Sequence, residues 1–211
     1  VGDTCIVSLP PWVLEVAEQN PDVLYTDAQG NRNKEYLSLG VDDLPLFRGR
    51  TPVGMYHDFM CEFEREFESE LVDGVIRDVS VSLGPAGELR YPSYPEGMWN
   101  FPGVGEFQCY DKYMLASLSA CALRAGHPEW GHGGPHDAGT YTDGPDDSAF
   151  FHNEHGSYDS EYGRFFLGWY SAQLAQHADK VLGRAAAAFA THSRLTLSSK
   201  LPGVHWCYDT K

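Results

Sequence analysis

The sequence predicts an α/β fold built on parallel strands, and three observations carry that reading. A helical apolar period opens at Thr51 and runs to Leu71, then switches to a period of two after the Asp73-Gly74 turn signal. The longest helical pattern of the chain, from about Ser160 to Ala190, leads back into a short strand pattern from Leu195 to about Ser199. Each strand pattern stops at Gly and Pro, with charged side chains just past its end. Helix, strand, helices, strand is the order of strands joined by helical crossovers, and parallel α/β folds gather their ligand groups at strand C-termini.

Taken in order, Leu9 to Val16 reads as a turn entering a short helix with Pro at its start. Asn20 to Lys34, rich in Asp, Asn and Gly, reads as a polar loop. At Thr51 a capping hydroxyl precedes Pro52, and Val53, Tyr56, Met60, Phe63, Phe67 and Leu71 follow at three or four residues. In the next strand Val75, Val79, Val81 and Leu83 share one parity while Asp78, Ser80 and Ser82 share the other. An irregular stretch, Leu89 to Phe107, carries Pro92, Pro95 and Pro102 among aromatics. Helical spacing returns between Cys109 and Arg124, and a second irregular loop spans Gly126 to Ser157. In the long helix Phe165, Phe166, Trp169, Leu174, Val181 and Leu182 lie on or near one face. No repeat at a solenoid period is present.

Composition narrows the function classes. The 211 residues are enough for one domain with a core. A net charge of -15, from 30 acidic against 15 basic residues, disfavours a phosphate-backbone partner and leaves a neutral polymer open. No apolar run reaches the length of a membrane span, and no secretory leader is visible. The five cysteines, Cys5, Cys61, Cys109, Cys121 and Cys207, are odd in number and scattered, which argues for reduced thiols in an intracellular compartment.

The chemistry centres on Glu88. It stands on a turn just past the strand, in the run GPAGELRYPSYP, with two Gly, three Pro, one Arg and two Tyr around it. A carboxylate after a Gly-rich turn commonly serves as a cap or a solvated loop group. Rings with a sparse set of polar groups are also what a sugar-binding cleft needs, because pyranose faces stack on aromatics while hydroxyls seek fixed partners. Burial among rings disfavours the charged form of a carboxyl, so this reading expects Glu88 to carry a proton in an aromatic-lined cleft.

The run from Gly84 to Tyr94 resembles the active-site motif of plant-type β-amylases, glycoside hydrolase family 14. The resemblance extends collinearly through Arg32 to Leu37, Gly49 to Thr51, Gly105 to Tyr113, Arg124 to Trp130 and Phe165 to Ser171. It implies a (β/α)8 TIM barrel, of which residues 1–211 would be one partial catalytic domain truncated at both ends, from about the third-strand exit loop to the fifth strand. It implies inverting exo-hydrolysis of α-1,4-glucosidic bonds in starch, releasing β-maltose from non-reducing ends, with no metal or organic cofactor. Glu88 would be the general acid. Val1-Gly2-Asp3 resembles the tail of the family's HxCGGNVGD motif, whose Asp sits on a loop that closes over substrate, so Asp3 inherits that role. Lys200 and His205, in KLPGVHW, match the Lys and His that hydrogen-bond glucose residues.

Departures accompany the match. Cys207 stands where the family carries a second Trp, and Ser80 and Ser82 stand where Glu and Gly are usual. They leave open a non-catalytic, glucan-binding or sensing protein. The general base is not found either: inversion needs a second carboxyl about 6.5–9.5 Å from the first, and Glu106, Glu129 and Glu154 lack a motif for that post. The segment by itself is therefore expected to be inactive. Plastid or cytoplasm is the expected compartment. His127, His132, His136, His152 and His155 crowd one loop with Asp137, Asp143, Asp146 and Asp147, but their spacing fits no standard metal site. Acyl-transfer and nucleotide motifs do not occur.

Overall fold

The computed structural model describes residues 8–152 and 154–203, so Asp3, Cys5, His205 and Cys207 lie outside the described residues. In chain order the elements are α1 (Pro11–Gln19), β1 (Leu24–Thr26), β2 (Arg32–Leu37), α2 (Pro52–Glu66), α3 (Glu68–Val72), β3 (Asp78–Val81), α4 (Lys112–Ala125), α5 (Glu161–Ala188) and β4 (Thr196–Ser199). They fall into two compact units. The first, in its described part, takes in 8–40, 91–172 and 203; the second takes in Val41–Arg90 and Gln173–Pro202. No helix of the described residues is long and apolar enough to cross a membrane.

The second unit contains the parallel pair that the alternating pattern predicts. β3 and β4 run side by side with Asp78 opposite Thr196 and Val81 opposite Ser199. Val81 and Leu83 face a core made with Val53 of α2 and Ala178, Val181 and Ala185 of α5. Asp78, Ser80 and Ser82 are exposed on the other parity, and the Ser198 hydroxyl donates to Asp78 Oδ1 at 2.8 Å. The strand is shorter than expected. Val75 is 75% exposed, because after α3 the backbone N–H groups of Val75 and Ile76 both return to the Glu70 carbonyl. Alternation alone does not show where a chain leaves a helix. The single helix expected from Thr51 to Leu71 is also divided, at Phe67, whose φ of -109° and ψ of 24° leave the helical region. Thr51 does cap α2, accepting from Gly54 N.

A charged cluster ties the start of this unit to α5. His177 Nδ1 lies 3.0 Å from Asp42 Oδ2, and Lys180 Nζ lies 3.6 Å from Asp42 and 2.7 Å from Asp43. Asp42 and His177 are buried, so removing one would strand the other in a poorly solvated place.

In the first unit the expected polar loop holds an antiparallel hairpin. β1 and β2 pair Leu24 with Leu37 and Thr26 with Arg32 around Asp27. Asp27 accepts from the backbone N–H of Gln29 and Asn31 and from the Asn31 side chain, so the polar residues build the turn rather than face water. α4 begins one turn later than its apolar spacing suggests, since Asp111 is its N-cap, and it ends at Gly126, whose φ of 83° suits a residue without Cβ. α5 buries Phe166, Trp169 and Tyr170 here, against Tyr91 and Phe107. Phe165 and Leu174, read as sharing that face, are only half-buried.

Asp111 is fully buried. Its carboxylate accepts from the backbone N–H of Tyr113 and Met114, each at 3.0 Å, and from the Ser38 hydroxyl at 2.7 Å. Burial pushes its pKa up to about 6 even though these bonds pull the other way. Asp111→Ala removes the cap and leaves three donors unmatched, and should cost about 2–3 kcal/mol of unfolding free energy in denaturant melts. Asp111→Asn keeps an acceptor oxygen and should cost less than half as much.

Candidate active site

Glu88 and Lys200 are brought together by the parallel register. Past β3 and β4 the same pairing continues as an isolated parallel bridge between these two residues, and Leu89 N donates to the Lys200 carbonyl at 3.0 Å. Glu88 thus stands at the C-terminal end of one strand and Lys200 at that of its neighbour, where parallel folds put their chemistry.

The turn that presents Glu88 is tight. Gly87 N donates to the Gly84 carbonyl at 2.9 Å, and Glu88 N to the Pro85 carbonyl at 3.0 Å. Ala86 and Gly87 are both left-handed, with φ of 55° and 79°. A Cβ at position 84 would lie 2.8 Å from the Glu88 carbonyl oxygen and 3.1 Å from that of Arg90, so the chain folds back over Gly84 more closely than any other residue permits. At Gly87 a Cβ would sit 3.8 Å from both Lys200 Cδ and Ser82 Oγ, which places the Lys200 stem beside this turn.

The surroundings of the carboxyl differ from the sequence expectation. Glu88 Oε2 accepts from Arg90 Nε at 2.9 Å, and both side chains are 31% exposed. A guanidinium two residues away is a partner for a charged carboxylate, not a ring that excludes charge. Tyr91, read as part of an aromatic wall, is buried in the first unit. It stacks on Tyr170 at 3.8 Å and donates its hydroxyl to the Tyr170 carbonyl at 2.9 Å. Tyr94 stays 42% exposed near Trp99. Asp3 and His205 lie outside the described residues, so of the four expected site residues the structure places Glu88 and Lys200.

The described carboxyl held nearest to a neutral form is one the sequence did not single out. Glu106 is 8% exposed, and burial followed by the nearby Asp27 charge raises its pKa to about 7. The backbone N–H groups of Tyr141 and Ala28 partly offset this, and Asp143 adds to it. The Gln29 amide reaches Glu106, while the Tyr141 hydroxyl donates to Asp27 at 2.9 Å and accepts from Gln108. This network joins the β1–β2 turn to the segments around residues 106 and 141. Its members are spread over more than a hundred positions, and no local pattern marks Glu106 as buried. Among the described residues the His-rich loop gathers no metal-binding group of three or more side chains. His127 instead stacks on Trp130 and pairs with Glu129, and Asp137 accepts from Ser157.

The model of the family described as "Glycosyl hydrolase family 14" matches residues 1–211. The chain belongs to glycosyl hydrolase family 14. It is 51% identical to "Beta-amylase 1, chloroplastic" of Oryza sativa subsp. japonica, covering 100% of this chain and 40% of that protein. It is 50% identical to "Beta-amylase 1, chloroplastic" of Arabidopsis thaliana, again over 100% of this chain and 37% of the relative. The chain therefore spans about two fifths of the length of these curated relatives. Its fold matches the crystal structure of the catalytic domain of the Paenibacillus polymyxa beta-amylase with a TM-score of 0.71 and 29% identity, over 98% of this chain and 48% of that one. Parallel β3 and β4, with α2 and α5 packed on one face, are consistent with a segment of a family 14 barrel.

Two outcomes follow for this family 14 segment. Gly84→Ala forces a Cβ onto two carbonyl oxygens, so the turn must open; thermal unfolding should report a loss of about 2–3 kcal/mol. For Glu106 the ordinary value is 4.5 and the folded value about 7, so between them the folded chain binds more protons than the unfolded one. Stability contributed by this group therefore falls as pH rises through that window, by at most about 3 kcal/mol. Glu106→Gln should raise the melting temperature more at pH 8 than at pH 5, and an equal change at both would contradict the assignment.

Proposed function

We propose that this chain is part of the catalytic (β/α)8 domain of a β-amylase, from about the third-strand exit loop to the fifth strand. In that reading the whole protein removes β-maltose from the non-reducing ends of α-1,4-glucans by inverting hydrolysis. The observation that carries it is the parallel bridge between Glu88 and Lys200, at adjacent strand ends, in a chain matched throughout by the family model.

Glu88 is the general acid, giving its proton to the departing glycosidic oxygen. Its ion pair with Arg90 holds the carboxyl at the strand end, and uptake of a proton releases that pair. Lys200, whose stem lies beside Gly87, donates its ammonium hydrogens to sugar hydroxyls, and His205 hydrogen-bonds glucose residues alongside it. Asp3 belongs to a loop that closes over the substrate. A second carboxylate, supplied from outside these residues, activates the water on the opposite sugar face, so the 211-residue segment alone hydrolyses nothing. The reaction needs no metal or organic cofactor. The net charge of -15 supports an uncharged glucan over nucleic acid. That the rice and Arabidopsis relatives are named chloroplastic supports a plastid location.

The deciding experiment measures maltose release from soluble starch by the full-length protein. Glu88→Gln should lower kcat about 10²–10⁴-fold with the fold retained, the range expected for loss of a general acid. Lys200→Ala should weaken saccharide binding about tenfold or more. The exposed Ser80 and Ser82 on the bare sheet face, where the family carries Glu and Gly, favour a second reading as a non-catalytic glucan sensor. Saccharide binding without maltose release, in the wild type and the variant alike, would establish it.

A further inference from the structure

On the outer side of α2, away from Glu88 in the chain, Cys61 and His57 are one helical turn apart and in contact. Cys61 is exposed, and its Sγ lies 3.6 Å from His57 Nε2 and 3.9 Å from Nδ1. The other ring nitrogen decides the chemistry. Nδ1 is 3.2 Å from the backbone carbonyl of Arg184 in α5. A carbonyl only accepts, so Nδ1 donates to it and Nε2 keeps its lone pair, facing the thiol. α5 thus sets the tautomer that makes the imidazole a base toward Cys61.

Charges that would disfavour a thiolate are occupied elsewhere. On and after α2, Asp58 pairs with Arg50, Glu62 with Arg65, and Glu64 with His192 at 2.7 Å. From α5, Lys180 is held by Asp42 and Asp43, and Arg184 contributes the carbonyl that holds His57. The remaining described thiols have no comparable setting: Cys109 is fully buried and Cys121 is half-buried.

We propose that Cys61 is a thiol–disulfide exchange site, activated by His57 and open to small-molecule disulfides. His57 Nε2 takes the Sγ proton, and the thiolate attacks one sulfur of the disulfide. A new Sγ–S bond forms as the old S–S bond breaks, and the other half leaves as a thiolate with the bonding pair. Cys61 is oxidised to a mixed disulfide and the departing half is reduced, so the disulfide itself is the oxidant. A thiol reductant reverses the step.

The test treats native full-length protein with the disulfide of thionitrobenzoate and follows release of the coloured thiol. One equivalent should react in a fast phase that Cys61→Ser removes and His57→Gln slows about tenfold. As pH falls from about 8 to about 6, the fast rate should drop more steeply in His57→Gln than in the wild type, a difference that a merely structural imidazole would not produce. Peptide mapping of wild-type protein after substoichiometric reaction needs no variant and should find the label first on Cys61. A first label on another cysteine, or an unchanged fast rate in His57→Gln, overturns the proposal.

Discussion

The parallel register of β3 with β4 is the constraint on which the rest of the second unit depends. Once Val81 lies opposite Ser199, the two chains leave their strands together and pair once more at Glu88 and Lys200. Side chains alternate across a sheet, so the same register that sends Val81 and Leu83 into the helical core leaves Asp78, Ser80 and Ser82 on the opposite face. A slip of one residue would exchange those faces and separate the acid from the lysine. Position and polarity at the site are thus consequences of apolar burial.

The helices that cover this pair supply more than packing. α2 and α5 bury Val53, Ala178, Val181 and Ala185 over the strands, and the same contact orients His57 toward Cys61 and His177 toward Asp42. Each imidazole is placed by an element distant in sequence, and each acquires its chemical character from that partner. The first unit follows the same logic with rings. Tyr91, Phe107, Phe166 and Tyr170 interlock, and the two tyrosine hydroxyls find partners on the backbone, so amphipathic side chains are buried without loss of hydrogen bonds.

Much of the architecture is legible in the residues. The cap at Thr51, the period of α2, the alternation of β3, and the buried stripe of α5 are all local signals that survive folding. The hairpin at Leu24–Leu37 is hidden because its turn is built from Asp27, Asn31 and Gln29, whose polarity reads as loop until their hydrogen bonds close. Val75 has strand parity and apolar character yet is exposed, because the end of α3 captures its N–H. At the site the motif marks Glu88 and Lys200 correctly as strand-end residues, but composition suggests rings around the acid where geometry places Arg90 and sends Tyr91 into a core.

Family membership, the helix and strand periods and the position of the candidate acid were determined by the sequence alone, since each rests on residues close together along the chain or on a contiguous motif. Tertiary structure alone decided which partner meets the Glu88 carboxylate, which tautomer His57 adopts, and that Glu106 holds its proton toward neutrality. Those outcomes depend on burial and on fields from groups far apart in sequence, and only folding brings such groups within reach of one another.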